Sequence, residues 1–151
     1  MSTTTEPATS TRTPQRTWLA LGAVVTELAR GEGGGLVVAE GTLPEGASPP
    51  LHVHDDLDDS FYLLDGRMVL RCGDDVWLAG PGEWVPFPRG VPHTFRVIDG
   101  TARVLMVHAN DSFIGLVRDL GRPVDATRLP ELAGGPLCWV TATGSMFHRA
   151  G

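Results

Sequence analysis

No lysine occurs among these 151 residues; all 12 basic side chains are arginines. Schiff-base catalysis, an internal pyridoxal phosphate linkage and Walker-type phosphate binding each need a lysine, so those classes are excluded. Cysteine is nearly as scarce. Cys72 and Cys138 are too few for a disulfide scaffold, and a reduced, cytoplasmic compartment is the expectation. No apolar run approaches about 18 residues, so no segment reads as membrane-spanning. The opening residues, MSTTTEPATSTRTPQRT, lack the hydrophobic stretch of a secretory signal. There is no basic cluster either, and a net charge of -6 argues against nucleic acid and anionic membrane surfaces as partners.

The chain does have apolar residues, 42% of the total, and a length that fits one domain with a sizeable core. Glycine and proline recur every eight to twelve residues between short runs rich in Val, Leu and Phe, the spacing of an all-β sandwich or barrel. The runs predict strands over Trp18–Leu28, Leu36–Leu43, His52–His54, Phe61–Leu64, Arg67–Cys72, Asp75–Leu78, Trp84–Phe87, His93–Ile98 and Ala102–His108, with DG, CGDD, AGPGE, PRGVP and DGT as turns. One helix is predicted over Ser112–Leu120, where Phe113, Leu116, Val117 and Leu120 share a face. Asn110 to Ser112 would supply its N-cap and Gly121 its C′ residue. Residues 1–17 read as a disordered Ser/Thr/Pro-rich tail, 18–121 as the barrel with its helix, and 122–151 as an irregular C-terminal extension.

His52 and His54 stand two apart in a strand, so both imidazoles project to one face. Adjacent buried imidazoles each need a partner, and one divalent metal satisfies both, with nitrogen–metal distances of about 2.0–2.1 Å. The surrounding spacing extends the pattern. It runs Gly46-x5-His52-x-His54-x4-Asp59-x6-Gly66 and then Gly82-x5-Pro88-x-Gly90-x2-His93-x3-Val97. Gly66 and Gly90 allow tight turns that bring separate strands together, and Pro88 and Pro92 stiffen the approach to His93.

These two strings resemble the paired motifs of the cupin superfamily, G-x5-H-x-H-x3/4-E-x6-G and G-x5-P-x-G-x2-H-x3-N. The resemblance covers roughly Trp18 to Gly121, and PPLHVH, FYLLDG and PRGVPHTF look most like the quercetin dioxygenase-like single-domain members. It implies a double-stranded β-helix, a jelly-roll barrel, with a metal held by His52, His54, Asp59 and His93. Asp59 stands where the family has Glu and is one methylene shorter. Direct ligation, contact through a water and service as a general base all stay open for it. Val97 stands where the family has Asn and reads as a packing position. Asp55, Asp56 and Asp58 read as a solvated acidic loop.

Strand parity turns Asp59, Phe61 and Leu63 to one face, the expected barrel interior, and adds Met68, Leu70, Phe95 and Val97 as the wall of a substrate pocket. None of the pocket residues is charged, which argues for a small apolar or aromatic substrate and against an anion held by a guanidinium clamp. The same residues could instead simply fill a small barrel. His108 shares the parity of Val104 and Met106 and reads as a packing or capping residue; His148 has no assigned role. Three imidazoles with one carboxylate suit one divalent transition metal, Fe, Ni, Co, Mn or Zn. The resemblance implies a metal-dependent dioxygenase acting on an aromatic or polyketide-type molecule, with a non-catalytic binding or sensing protein and a metal-assisted isomerase or cyclase as alternatives. A homodimer is expected, because sheet edges need covering, with Trp18–Leu28 as the candidate contact.

Overall fold

The structure, a computed structural model, describes residues 15–125 and 148–149. The elements in chain order are β1 (Arg16–Ala20), β2 (Ala23–Arg30), a 3-10 turn (Glu32–Gly34), β3 (Val37–Leu43), β4 (His52–Val53), β5 (Phe61–Cys72), β6 (Asp75–Ala79), β7 (Trp84–Val85), β8 (His93–His108), α1 (Ser112–Leu120), β9 (Arg122–Pro123) and β10 (His148–Arg149). The architecture is the all-β barrel with one short helix that the spacing predicts. The paired strands are antiparallel and form one sheet, ordered β10-β4-β8-β3-β2-β1-β9. The sheet branches because β8 pairs with β3, β4 and β5, and β5 in turn carries β6 and β7. Among the described residues, no helix is long and apolar enough to cross a membrane.

Three sequence expectations about strand ends are corrected. Trp18–Leu28 is not one strand but the hairpin β1–β2, because Leu21 and Gly22 both take positive φ (53° and 76°) and reverse the chain in two residues. Neither DG is a hairpin turn. Asp65–Gly66 lies inside the 12-residue β5, and Asp99–Gly100 inside the 16-residue β8. At these places the β5–β8 ladder slips: the partners step from Leu63↔Val104 and Asp65↔Arg103 to Arg67↔Ile98.

The slip sets which side chains face inward. Before it, Phe61 and Leu63 are buried; after it, Met68 and Leu70 are, so the buried parity on β5 changes from odd to even. On β8 the buried set changes from His93 and Val97 to Ala102, Val104, Met106 and His108. A one-residue shift flips every later side chain to the other face, and paired bulges in adjacent strands keep both apolar sets on the core. Gly66 makes the slip possible. Its φ is +85°, and a Cβ there would stand 2.6 Å from the Thr101 carbonyl oxygen and 2.7 Å from Ala102 Cα.

The helix occupies the predicted span, with Ile114 and Val117 buried against the barrel. Its N-cap lies within the expected Asn110 to Ser112, and its C-terminal end differs from expectation. Asp111 is the N-cap residue without a side-chain cap bond; Asn110 Oδ1 instead accepts the Ser112 N–H at 3.1 Å. Gly121 is extended (φ -88°) and is not the left-handed C′ residue expected. A side chain there would collide with the Val117 carbonyl and with Ala20 Cβ at 2.9 Å, so close packing on β1 explains the glycine. The edge of β1 is paired with β9 at Trp18 and Leu19, and Trp18 is buried. The predicted tail falls mostly outside the described residues, as does the C-terminal extension apart from 122–125 and the strand pairing of 148–149 with β4.

Candidate metal centre

Two loops bring the site together, and four hydrogen bonds stitch one to the other. The loop after β4 carries His54 and Asp59; the loop between β7 and β8 carries Phe87 and leads to His93. The His54 carbonyl accepts from Gly90 N–H (2.7 Å), and Asp59 N–H donates to the Phe87 carbonyl (2.9 Å). The Ser60 hydroxyl accepts from Phe87 N–H (3.2 Å), and Asp58 Oδ1 accepts from Arg89 N–H (2.9 Å). The Arg89 guanidinium adds bonds to both oxygens of Asp58 and holds its carboxyl below the usual range. Asp58 and Asp56 are exposed, as expected of an acidic loop, yet both have structural partners. Asp56 accepts from the Ser112 hydroxyl at 2.8 Å, and its carbonyl accepts from Asn110 Nδ2 at 2.8 Å. The expectation of a merely solvated loop is corrected there.

The structure brings His52, His54, Asp59 and His93 together, one potential ligand atom from each lying within 4.8 Å of all the others. His52 and His93 are register partners across β4 and β8. Each ring is oriented the same way, by the carbonyl two residues earlier: His52 Nδ1 bonds the Pro50 oxygen at 2.7 Å and His93 Nδ1 the Val91 oxygen at 2.8 Å. A carbonyl can only accept, so Nδ1 carries the hydrogen and Nε2 keeps its lone pair, the tautomer a metal needs. His93 Nε2 is buried without a hydrogen-bond partner, and Phe87 stacks on its ring at 4.4 Å between centroids. Burial pushes the His52 pKa down to about 4, against the Pro50 carbonyl and with help from His93 and His54, so this imidazole is neutral at neutral pH. An orphaned buried nitrogen beside further nitrogen and oxygen donors fits a divalent transition metal.

Asp59 reaches the cluster despite its short arm. Its Oδ2 lies 3.4 Å from His54 Nε2 and 3.8 Å from His93 Nε2. Donors each about 2.0–2.2 Å from a shared ion stand about 3–4 Å apart, so these separations suit a common ligand sphere. The bond from Asp59 N–H to the Phe87 carbonyl ties the backbone at this position to the neighbouring loop. Burial alone would raise the Asp59 pKa; the hydrogen bond with His108 and the nearby imidazoles of His54 and His93 outweigh it and hold the carboxyl well below its usual value.

His108 is the residue that sequence reasoning misplaced. Its ring is 2% exposed, and its Nε2 lies 3.1 Å from Asp59 Oδ1, so it bonds the candidate ligand and does more than pack. The available signal was its inward parity with Val104 and Met106, since a buried imidazole on that face needs a polar partner. Of the expected pocket residues, Phe61, Leu63, Met68, Leu70 and Val97 are buried and Phe95 is partly so. Phe87 belongs with them, edge-on to Phe61 at 5.8 Å. A separate surface groove of about 430 Å³, lined by Arg16, Trp18, Arg118 and Pro123 among others, shares no residue with the histidine cluster.

Comparison with known proteins agrees with the fold. Residues 39–108 match the family model described as a cupin domain. Quercetin 2,3-dioxygenase of Bacillus subtilis (strain 168) is 28% identical over 89 residues, 59% of this chain, which spans about a quarter (26%) of that relative. Among solved structures, KdgF from Halomonas sp. superposes with a TM-score of 0.58 at 17% identity, over 66% of this chain and 92% of that one, a likeness of fold alone. The polyketide cyclase RemF from Streptomyces resistomycificus gives a TM-score of 0.54 at 26% identity, over 68% of this chain and 79% of that one.

Proposed function

This chain carries a cupin domain, and from that premise we propose that it is a mononuclear metal-dependent dioxygenase, similar to quercetin dioxygenase, acting on an aromatic or polyketide-type small molecule. One observation supports the reading above others. Three buried imidazoles and one carboxylate converge in a barrel whose buried apolar core includes Phe61, Leu63, Met68, Leu70 and Val97. His52, His54 and His93 would hold the metal, with Asp59 Oδ2 as fourth donor. A bound Fe, Ni, Co, Mn or Zn ion would supply Lewis acidity, lowering the pKa of a hydroxyl brought to it.

The protein's own groups then have defined tasks. The Pro50 and Val91 carbonyls keep His52 and His93 in the correct tautomer and orientation. Phe61, Leu63, Met68, Leu70, Phe87, Phe95 and Val97 exclude water and offer an apolar wall to a ring system. Asp59 is the most exposed of the four donors, its side chain 17% accessible, so substrate approaches past it. Its carboxylate is placed to accept a hydroxyl proton from an enol or catechol if it does not stay on the metal.

A second reading, a metal-assisted cyclase that consumes no oxygen, is favoured by the likeness to the polyketide cyclase RemF. The discriminating experiment is metal analysis of protein purified without added metal, followed by assays with a flavonol or polyphenol under air and under argon. One metal per chain with oxygen uptake is the expected result. Product formed equally under argon would replace the dioxygenase by the cyclase. Tight binding without turnover would replace both by a binding protein.

A further inference from the structure

We infer that His108 is a positioning residue that aims the Asp59 carboxylate at the metal, an inference that deepens the reading above and rests on it. The carboxylate is divided between two neighbours. Oδ1 lies 3.1 Å from His108 Nε2, while Oδ2 faces His54 at 3.4 Å and His93 at 3.8 Å. A carboxylate accepts, so His108 Nε2 carries the hydrogen and donates. One oxygen is thereby occupied, and the other is turned to the cluster.

His108 is itself fixed. It ends β8, paired with Val37 of β3, and its ring meets Phe113 of α1 edge-on at 5.3 Å. It is 2% exposed, so water does not compete for the bond. The slip at Asp99–Gly100 lets His93 and His108, fifteen positions apart on one strand, both face the interior. The same strand therefore presents a candidate ligand at its start and the support of another ligand at its end. The device suits a short side chain. Asp59 has no spare methylene with which to find the metal, so its direction is set from outside. Partners that orient a ligand in this way typically contribute about 10–100-fold to metal affinity.

The test measures Co(II) and Zn(II) affinity of the full chain by competition with a chromophoric chelator. His108→Leu removes the donor and is expected to weaken binding about 10–100-fold. His108→Gln, whose amide N–H reaches about as far as Nε2, is expected to restore most of the affinity; His108→Asn, one methylene shorter, is not. In an Asp59→Ala background, His108→Leu is expected to change nothing further. Should His108→Leu fail to fold, the Gln and Asn pair still decides. Native affinity in the His108→Leu or His108→Asn protein would overturn the inference. An equal loss with and without Asp59 would overturn it too, and would make His108 a ligand or a purely structural residue. The wild-type and His93→Ala proteins separate the two levels. A wild type that binds no metal removes the metal-site reading along with the inference. Loss in His93→Ala, with native affinity in His108→Leu, removes the inference alone.

Discussion

Replacing Gly66 by alanine tests the idea that paired bulges in β5 and β8 build the site. The residue sits at φ +85°, and an added Cβ would lie 2.6 Å from the Thr101 oxygen, 2.7 Å from Ala102 Cα and 2.9 Å from Ala102 Cβ. Two costs arise. The left-handed backbone penalises an L side chain by about 1–2 kcal/mol. The contacts are with backbone of the neighbouring bulge, which cannot swing aside, and overpacking of that kind costs about 1–3 kcal/mol more. Gly100 separates the two, because its φ is +97° but its Cβ would meet nothing within 4 Å. Gly100→Ala is therefore expected to cost only the backbone part, about 1–2 kcal/mol. Gly66→Ala should cost about 2–5 kcal/mol, a Tm lowered by about 5–20 °C for a domain near this size. Urea titrations and thermal melts of the two variants, followed by far-ultraviolet circular dichroism, give the comparison. If Gly66→Ala is no more destabilising than Gly100→Ala, the close approach of the two bulges is not a constraint on the fold, and the account of inward-facing parity fails.

Single substitutions His52→Ala, His54→Ala and His93→Ala should each abolish stoichiometric metal while the circular dichroism spectrum stays β-rich; metal retained by His93→Ala would remove the second motif from the site. Asp59→Asn should weaken metal affinity if Oδ2 ligates, because a neutral amide is a poorer donor to a divalent cation. Retained metal with lost turnover would make Asp59 a base instead, and Asp59→Glu should bind at least as tightly as the native residue. Asp58 has its carboxyl lowered by Arg89, so its clasp is fully present above the ordinary carboxylate range and lost as the pH falls through the lowered value. Asp58→Ala should therefore lower the Tm slightly at neutral pH, less so at high salt, and leave metal stoichiometry at the native level, as measured by scanning calorimetry and metal analysis. Chelation should lower the Tm of the metal-loaded protein by the mass-action contribution of a native-state ligand, and an unchanged Tm would argue against a bound ion.

What the sequence determined by itself lies in its short-range pattern. The i, i+3, i+4, i+7 face of Phe113, Leu116, Val117 and Leu120 defined α1 over Ser112–Leu120. The two-residue period placed His52 and His54 on one face, and the spacing of Gly46, Gly66, Gly82, Pro88, Gly90 and His93 carried the resemblance to the cupin motifs that implied the barrel and its donor set. Such features follow from side-chain alternation and from backbone angles that each residue can adopt locally. Tertiary structure decided what depends on a partner far along the chain. From sequence, Asp65–Gly66 and Asp99–Gly100 look like hairpin turns, because a DG pair has the same local preference in a turn and in a bulge. Only the pairing of β5 with β8 makes them bulges and carries His108 to the face that His93 occupies. The clasp of Asp58 on Arg89, the stacking of Phe87 on His93 and the bond from His108 to Asp59 join residues 31, 6 and 49 positions apart. No periodicity encodes such distances; they follow from closure of the sheet around a core whose every inward polar group must find a partner.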